Sequence, residues 1–242
     1  MPLFHSPLRS VAGRQRQACA IAITALLMSL LLLPLGRSAA AEFEIGASLG
    51  AIRSVLGGSS PPGSSFASRA SGSAGIAIAW RVTRDVSLLM EPGYTVRGAK
   101  VTVEQLNNPD KLDLLDFRIP YVAFPLGIRV ESSGHRGFVV GGLEARWLQK
   151  AEAKLLVDPG GTTDLTDQVS PWDLAMNMGA GYAVPWGPAH FSLEARYSQG
   201  LLNLDRGVSH HMAVPFPVRL RTTGMGLILR FMTPLHIGSE RG

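Results

Sequence analysis

The chain is poor in cysteine: Cys19 is the only one among 242 residues, and it lies in a segment that we expect to be removed. A short basic stretch precedes the apolar run from Ala18 to Leu35, and small residues at 38–41 then offer a cleavage site before Glu42. Residues 1–41 are therefore predicted to be a cleaved secretory signal peptide. Without them no cysteine remains, which excludes disulfides, thiolate metal sites and a cysteine nucleophile.

The apolar run is nearly long enough to cross a bilayer, so a retained anchor is the alternative to cleavage. Pro34 and Gly36 interrupt the run and three alanines follow it, and both features favour cleavage. We therefore expect a signal peptide over residues 1–41, one domain over 42–235 and a short tail over 236–242.

The sequence also lacks a strong excess of positive charge once the signal peptide is set aside. It has 23 basic and 18 acidic residues, and four of the arginines but none of the acids lie in residues 1–41, so the remainder carries about +1. No basic stripe with interleaved aromatic residues is present, and no Gly-Lys-Ser/Thr follows the glycine-rich segment at 54–72. We therefore expect neither nucleic-acid binding nor a cofactor.

What the chain does have is a regular alternation of apolar and polar residues, clearest from Trp172 to Leu201. Every second residue from Trp172 to Val184 is apolar, while the residues between them include Asp173 and Asn177. After a break at 185–188 the alternation resumes, which predicts an antiparallel two-stranded hairpin. Because its apolar face is continuous, carries aromatic residues and lies opposite small and charged residues, the pattern favours a membrane barrel over a soluble sandwich.

The same alternation recurs along the chain and predicts eight strands. They span Glu42–Arg53, Ala74–Val82, Val86–Val103, Asp113–Val130, Gly137–Val157, Trp172–Val184, Phe191–Ser198 and Val218–Phe231. Pro92 predicts a bulge or break in the third strand. Long polar loops are expected at 54–72, 104–112, 158–171 and 202–217, and short turns at 83–85, 131–136 and 185–188.

The predicted connections alternate between long and short, which matches the short periplasmic turns and longer outer loops of bacterial outer-membrane barrels. We therefore predict an all-β fold, an eight-stranded antiparallel up-and-down transmembrane β-barrel after a cleaved signal peptide, integral to the bacterial outer membrane. A soluble small-ligand-binding barrel is the alternative. Such a barrel buries its apolar face inward, whereas here Gly, Ala, Glu and Arg occupy the opposite face, which suits a narrow lumen.

Three short segments carry a resemblance to a known family. They are Leu193–Leu201 followed by Asn203, Arg118-Ile119-Pro120 at the fourth strand, and Gly141-Gly142-Leu143 in the fifth. These residues are similar to those of the PorT-type outer-membrane β-barrel family, and the similarity extends over roughly residues 42–231. The resemblance implies the barrel fold, and the family's namesake is associated with protein secretion across the outer membrane. The chain departs from the usual ending of such barrels because residues 233–242 follow the last predicted strand.

Two segments that contain histidine are candidates for chemistry. His190-Phe191-Ser192, with Glu194 nearby, has the residue types of a lipid deacylase in a barrel wall, where serine, histidine and carboxylate act together. Its place beside a predicted periplasmic turn and its lumen-facing parity favour a structural role. His210-His211 offers two imidazoles to a metal, but adjacent strand residues face opposite sides and no further ligands lie nearby. We therefore expect no catalytic residue and no metal site.

Aromatic residues near the predicted strand ends are expected to lie at the two membrane interfaces, where amphipathic rings contact lipid headgroups. These residues are Trp80, Trp147, Trp172, Trp186 and Tyr197.

Charged residues of both signs share the inward parity. They are Glu44, Arg81, Glu91, Arg97, Arg129, Glu144, Arg146, Glu194, Arg196 and Arg230. The interior of an eight-stranded barrel is only wide enough for side chains, so we expect Arg–carboxylate pairs and no continuous water path. Glu194 is expected to pair with Arg146, Arg196 or Arg230.

Together these features predict a non-enzymatic outer-membrane barrel with a plugged lumen, which acts through its outer loops or supports envelope integrity or secretion. The expected partners are outer-membrane lipids and a protein that binds the outer loops, and we expect a monomer. The alternatives are an outer-membrane lipid-modifying enzyme that uses His190 and Ser192, and the soluble ligand-binding barrel.

Overall fold

The computed structural model describes residues 42–58, 64–105, 108–157, 160–207 and 219–235. The predicted signal peptide at 1–41, the predicted tail at 236–242 and the His210-His211 pair lie outside the described residues. No helix in the described ranges is long and apolar enough to cross a membrane.

The described residues form eleven strand segments and one short 3-10 helix at Thr166–Gln168. The strands are β1 (Glu42–Gly57), β2 (Ser64–Arg81), β3 (Val86–Met90), β4 (Gly93–Gln105), β5 (Asn108–Glu131), β6 (Gly137–Leu148), β7 (Glu152–Leu155), β8 (Thr162–Asp164), β9 (Trp172–Trp186), β10 (Ala189–Gly200) and β11 (Arg221–Leu235).

Antiparallel pairing closes the sheet into a ring of eight spans, because β11 pairs with β1 as well as with β10. β3 and β4 form one span, since both pair with β2 on one side and with β5 on the other. The interruption falls at Glu91–Pro92, where proline cannot donate a ladder hydrogen bond, as the sequence predicts. The predicted eight-stranded antiparallel barrel is confirmed.

The two faces of the wall differ sharply in polarity. The outward face is apolar, with Leu49 62% and Met225 66% exposed, while Glu194 and Arg230 on the inward face are fully buried. A soluble ligand-binding barrel has the opposite arrangement, so that alternative is wrong. We call the end that carries the connections at 82–85, 132–136 and 187–188 the short-turn end, and the opposite end the long-loop end.

Two of the predicted long loops are largely strand. In the first, β1 continues to Gly57 and β2 begins at Ser64, so the loop predicted at 54–72 is wrong for most of its length. Ser and Gly are weak strand formers, but here the backbone of β2 pairs with β4 from Ser64↔Val103 to Ser68↔Ala99. In the second, the loop predicted at 104–112 is shortened to a hairpin connection, because β4 reaches Gln105 and β5 begins at Asn108.

The fifth predicted strand, Gly137–Val157, divides instead of running on. β6 ends at Leu148, one residue after the last register pair with β9, Trp147↔Trp172. After an irregular segment at 149–151, β7 continues along the same edge of β5 toward the long-loop end, and among the described residues its other partner is β8. The last predicted strand, Val218–Phe231, is shifted toward the C-terminus in the structure, because β11 begins at Arg221 and extends to Leu235.

Apolar side chains from the wall and from the connections pack together inside the long-loop end. This long-loop apolar cluster consists of Leu56, Ala99, Val101, Phe117, Ile119, Tyr121, Leu148, Ala151, Ala153, Leu165, Val169, Leu204 and Leu220. A smaller group, among them Phe138, Val140 and Met232, is buried toward the short-turn end. Charged side chains lie between these two apolar groups and also beside the smaller one at the short-turn end.

Candidate functional site

The predicted inward charges do not form one network in the structure, and they separate into three groups along the barrel. Nearest the short-turn end, the Arg81 Nη2 donates to Glu44 Oε1 at 3.2 Å. Arg129 lies 2.9 Å from Glu131 and places its guanidinium 4.1 Å from the ring centroid of Phe138. Glu131 is a partner that the sequence analysis missed.

Four residues near the middle of the barrel form a closed ring of ion pairs, which we call the four-residue ring. Arg196 and Arg230 each contact both Glu91 and Glu194. Arg230 Nη2 lies 2.6 Å from Glu194 Oε2 and 3.1 Å from Glu91 Oε2. The ring joins the break between β3 and β4 to β10 and β11, and each carboxylate is shared between two guanidinium groups.

The third group, which we call the Arg146 cluster, lies nearer the long-loop end. It consists of Arg97, Glu144, Arg146 and Asp173. Arg146 Nε donates to Glu144 Oε1 at 2.6 Å, and Nη1 donates to Asp173 Oδ2 at 2.9 Å. Arg97 lies 3.8 Å from the same Glu144 oxygen. Of the residues expected to pair with Glu194, Arg196 and Arg230 do so, whereas Arg146 belongs to this cluster.

Uncharged polar residues add hydrogen bonds to Arg146 and Glu144, while Arg97 Nε and Asp173 Oδ1 have no partner among the described residues. Arg146 donates to Thr222 Oγ1 at 2.8 Å and to Ser198 Oγ at 2.6 Å, and Asn177 Nδ2 donates to Glu144 Oε2 at 2.7 Å. The cluster therefore draws side chains from β4, β6, β9, β10 and β11. A buried guanidinium with this many acceptors keeps its charge without the cost of unpaired donors.

Glycines on the inward face give these side chains room. A Cβ on Gly179 would come within 2.5 Å of Glu194 Oε1, and one on Gly224 within 2.5 Å of Arg97 Nη1. A Cβ on Gly181 would meet the Phe138 ring at 2.4 Å. The small residues that alternate with charge along β9 and β11 therefore leave space for long side chains from the facing strands.

A short repeat underlies both charge groups. Leu143-Glu144-Ala145-Arg146-Trp147 in β6 and Leu193-Glu194-Ala195-Arg196-Tyr197 in β10 place a glutamate and an arginine two residues apart, hence on the same face. Each glutamate accepts a 2.6 Å hydrogen bond from the arginine of its own strand. This repeat is a signal from which the sequence analysis could have assigned the in-strand pairs. Asp173 and Asn177, also missed as site residues, share the inward parity of β9.

The His190, Ser192 and Glu194 side chains do not form a relay. His190 Nε2 and Ser192 Oγ have no hydrogen-bond partner among the described residues. Glu194 is fully buried and engaged by Arg196 and Arg230. His190 directly follows the short turn at 187–188, which places it at the short-turn end.

Aromatic side chains form three groups on the outward face, one near the long-loop end and two near the short-turn end. Trp147 and Trp172 stack with ring centroids 5.4 Å apart near the long-loop end. Toward the short-turn end, Phe43 stacks on Trp80 at 6.1 Å. Trp186 belongs to a second short-turn group with Phe191 and Phe231. Tyr197 lies toward the long-loop end of β10, where its hydroxyl donates to Gln199 Oε1 at 2.8 Å.

The geometry above, a closed ring of strands with an apolar exterior and a charged interior, agrees with a family comparison. The model described as "Outer membrane protein beta-barrel domain" matches residues 28–206. The chain belongs to this family. It is therefore an integral protein of the bacterial outer membrane, and by the rule for such barrels its short-turn end faces the periplasm and its long-loop end faces outward.

Comparison with curated proteins found no match. Among solved structures, the chain is similar to Ail, the attachment invasion locus protein of Yersinia pestis, with a TM-score of 0.45 and 15% identity over 79% of this chain and 99% of that chain. Neisserial surface protein A matches with a TM-score of 0.41 and 15% identity over 78% and 95%, respectively. The outer membrane protease OmpT from Escherichia coli matches with a TM-score of 0.37 and 9% identity over 82% and 99%. Matches this distant say nothing about what the chain does.

Proposed function

We propose that this family member is a closed, non-conducting and non-enzymatic barrel that acts through its outward-facing end. The observation that supports closure is the four-residue ring, which ties the β3–β4 break to β10 and β11 across the interior. The cavity beside it has a volume of only about 50 Å³. A solute of any size could pass only if buried ion pairs separated, and breaking one such pair costs about 3–5 kcal/mol.

The long-loop apolar cluster supports the same proposal from the outward side. Leu165 and Val169 from the β8–β9 connection, with Leu204 from the β10–β11 connection, pack against buried wall residues. Two backbone hydrogen bonds fix this packing, because Ser170 donates to the Leu204 carbonyl and Leu204 donates to the Leu220 carbonyl, both at 2.9 Å. The described parts of these connections, residues 165–170 and 201–207, offer a defined surface to an external partner.

The proposed action through the outward-facing end is tested by shortening the segment between β6 and β9, which contains β7 and β8. Replacing residues 149–170 with a short Gly-Ser turn removes this surface and leaves the ion pairs within the wall. Affinity capture from outer membranes should recover a specific partner with the wild-type protein and lose it with the shortened variant. An Asp85→Asn variant in a short periplasmic turn is the matched control. Identical co-purifying proteins for all three chains would contradict the proposal.

The resemblance of Leu193–Leu201 to PorT-type proteins extends this proposal to support of secretion or of envelope integrity. A lipid-modifying activity at His190 and Ser192 is disfavoured because neither side chain hydrogen-bonds to the other and Glu194 is held by two arginines. The test is the acylation pattern of lipid A in cells that overproduce the wild-type chain or His190→Ala. We expect identical patterns, and a change that depends on His190 would overturn the non-enzymatic assignment.

A further inference from the structure

The outward face carries a groove of about 670 Å³ that crosses β9, β10, β11, β1 and β2. Ala195, Leu227 and Ala51 form its floor and are register partners in that order. The same cross-strand row continues to Ala180 on one side and to Gly72 on the other. The rows on either side are bulkier. Toward the periplasm lie Tyr182, Leu193, Leu229 and Leu49, and toward the outside lie Met178, Tyr197, Met225 and Arg53.

Arg53 is the unusual member of this surface, because it is an exposed arginine on the lipid-facing parity of β1. Its Nε donates to Ser68 Oγ at 2.6 Å, and it has no carboxylate partner among the described residues. Ser68 lies two positions farther outward than Ala70, the register partner of Arg53, so the guanidinium is drawn toward the outside.

The depth of Arg53 follows from strand geometry. Phe43, in the inner aromatic group, and Arg53 are ten residues apart on β1, roughly 33 Å along the strand. At the tilt of about 40° usual in such barrels this corresponds to about 25 Å along the membrane normal, which equals the height of the apolar band. Arg53 therefore lies at the outer interface, at the level of headgroup phosphates.

Other polar side chains lie on the outward face of β10 and β11 near the same depth as Arg53. Tyr197 and Thr223 both donate to Gln199 Oε1, at 2.8 and 3.1 Å. The groove thus has a polar, cationic upper border and an apolar floor below it. A ligand that matches both parts has an anionic headgroup above an acyl chain.

We propose that this groove binds a phosphate-bearing acylated lipid of the outer leaflet, with a phosphate on Arg53 and an acyl chain over Ala51 and Ala195. A guanidinium at the interface forms charge-assisted, bidentate hydrogen bonds with phosphate. Ala51 and Ala195, on either side of Leu227, leave space for an acyl chain that larger side chains at these two positions would fill. This proposal concerns the outer wall and does not depend on whether the lumen is closed.

Native mass spectrometry of the purified full-length protein tests the proposal, with bis-phosphorylated lipid A and its dephosphorylated derivative as probes. The wild-type chain should retain one phosphorylated lipid at least about tenfold more strongly than the dephosphorylated one, the factor expected for one charged hydrogen bond. Arg53→Gln should lose this preference, and Arg53→Lys should keep part of it. Arg84→Gln in a periplasmic turn is the charge control and should behave as the wild type does.

Filling the groove tests the acyl contact separately. Ala195→Phe and Ala51→Phe should each lower retention of both probes, whereas Leu193→Phe, in the adjacent row that is already bulky, should not. Retention of the barrel fold is checked by the mobility shift between heated and unheated samples on a gel. The proposal would be overturned if the wild type bound both probes equally, or if Arg53→Gln had no effect. It would also be overturned if the groove bound a second copy of the protein instead of lipid, so that Ala195→Phe abolished a dimer.

Discussion

Glu194 is fully buried near the middle of the barrel, and its two oxygens contact different arginines. Oε1 accepts from Arg196 at 2.6 Å and Oε2 accepts from Arg230 at 2.6 Å. Charge inside a low-dielectric interior is stable only while such partners are present. The position therefore stabilises the barrel through two pairs at once.

Replacing Glu194 by leucine should leave two buried guanidinium groups that share only Glu91. We expect a loss of about 3–5 kcal/mol in the free energy of unfolding, as for other broken buried pairs. Reversible urea unfolding in lipid vesicles measures this loss. Lys150→Gln, which removes the exposed partner of Glu152, should leave the value nearly unchanged because exposed ion pairs are screened by water. A loss for Glu194→Leu no larger than that of the control would contradict the described pairing.

Gly179 and Gly141 form a matched pair for testing how tightly the interior is packed. A Cβ at Gly179 would come 2.5 Å from Glu194 Oε1 and 2.9 Å from the Ala195 carbonyl, whereas one at Gly141 meets nothing within 4 Å. Gly179→Ala should therefore lower the free energy of unfolding by about 1–3 kcal/mol, the range for overpacked sites. Gly141→Ala should be neutral or slightly stabilising. Equal effects of the two substitutions would contradict the described interior.

The sequence predicts which charged residues face inward, but it does not predict their partners. Parity along each strand requires only local alternation, so all ten predicted charges lie on the inward side. Arg146, in contrast, pairs with Asp173 because β6 and β9 align Arg146↔Asp173 in register, and this alignment depends on long-range pairing. The same reason explains why Arg146 was wrongly considered as a partner of Glu194.

Strands extend the wall at the long-loop end well beyond the apolar band. Their continuation through Ser- and Gly-rich sequence was not predictable from propensity, because it depends on pairing between β2 and β4. Ser54 contributes a specific contact there: its buried Oγ accepts from the Gly98 N–H and donates to the Gly98 carbonyl, both at 3.0 Å. β1 and β4, which are not neighbours in the ring, are thereby joined.

Two leucines of the β10–β11 connection, Leu202 and Leu204, allow a direct test of the long-loop apolar cluster. Leu204 is 2% exposed within the cluster, while Leu202 is 42% exposed. Leu204→Ala should remove about 2–5 kcal/mol of local stability by leaving a cavity, and Leu202→Ala should have little effect. Hydrogen exchange is the measurement, because the Ser170 amide bonds to the Leu204 carbonyl and should lose protection. Unchanged protection at Ser170 would show that the cluster does not order this end.

The whole molecule presents an apolar exterior between aromatic side chains near its two ends. This arrangement could be predicted from sequence, because alternation and the placement of tryptophan near strand ends are local features. For the interior, the sequence predicts which residues face inward but not which of them contact one another. The long-loop apolar cluster could not be predicted, since its members come from five strands and three connections brought together by closure of the ring.

Leu49 lies on this exterior six residues from Phe43, about 15 Å along the membrane normal and hence near the midplane. Leu49→Arg should lower the free energy of unfolding in lipid vesicles by about 2–4 kcal/mol. Val82→Arg, at an exposed position beside a periplasmic turn, should cost no more than about 1 kcal/mol. If the two substitutions cost the same, the assigned position of the apolar band is wrong.

We propose that ion pairs and the long-loop apolar cluster together close the barrel interior. Ion conductance of the purified wild-type protein in planar lipid bilayers tests it most directly. We predict no steady ohmic conductance above that of the protein-free bilayer, because the four-residue ring and the Arg146 cluster place buried ion pairs across the interior and the cavity beside the ring has a volume of about 50 Å³. Stable open channels, recorded from protein whose barrel fold is verified, would contradict the claim.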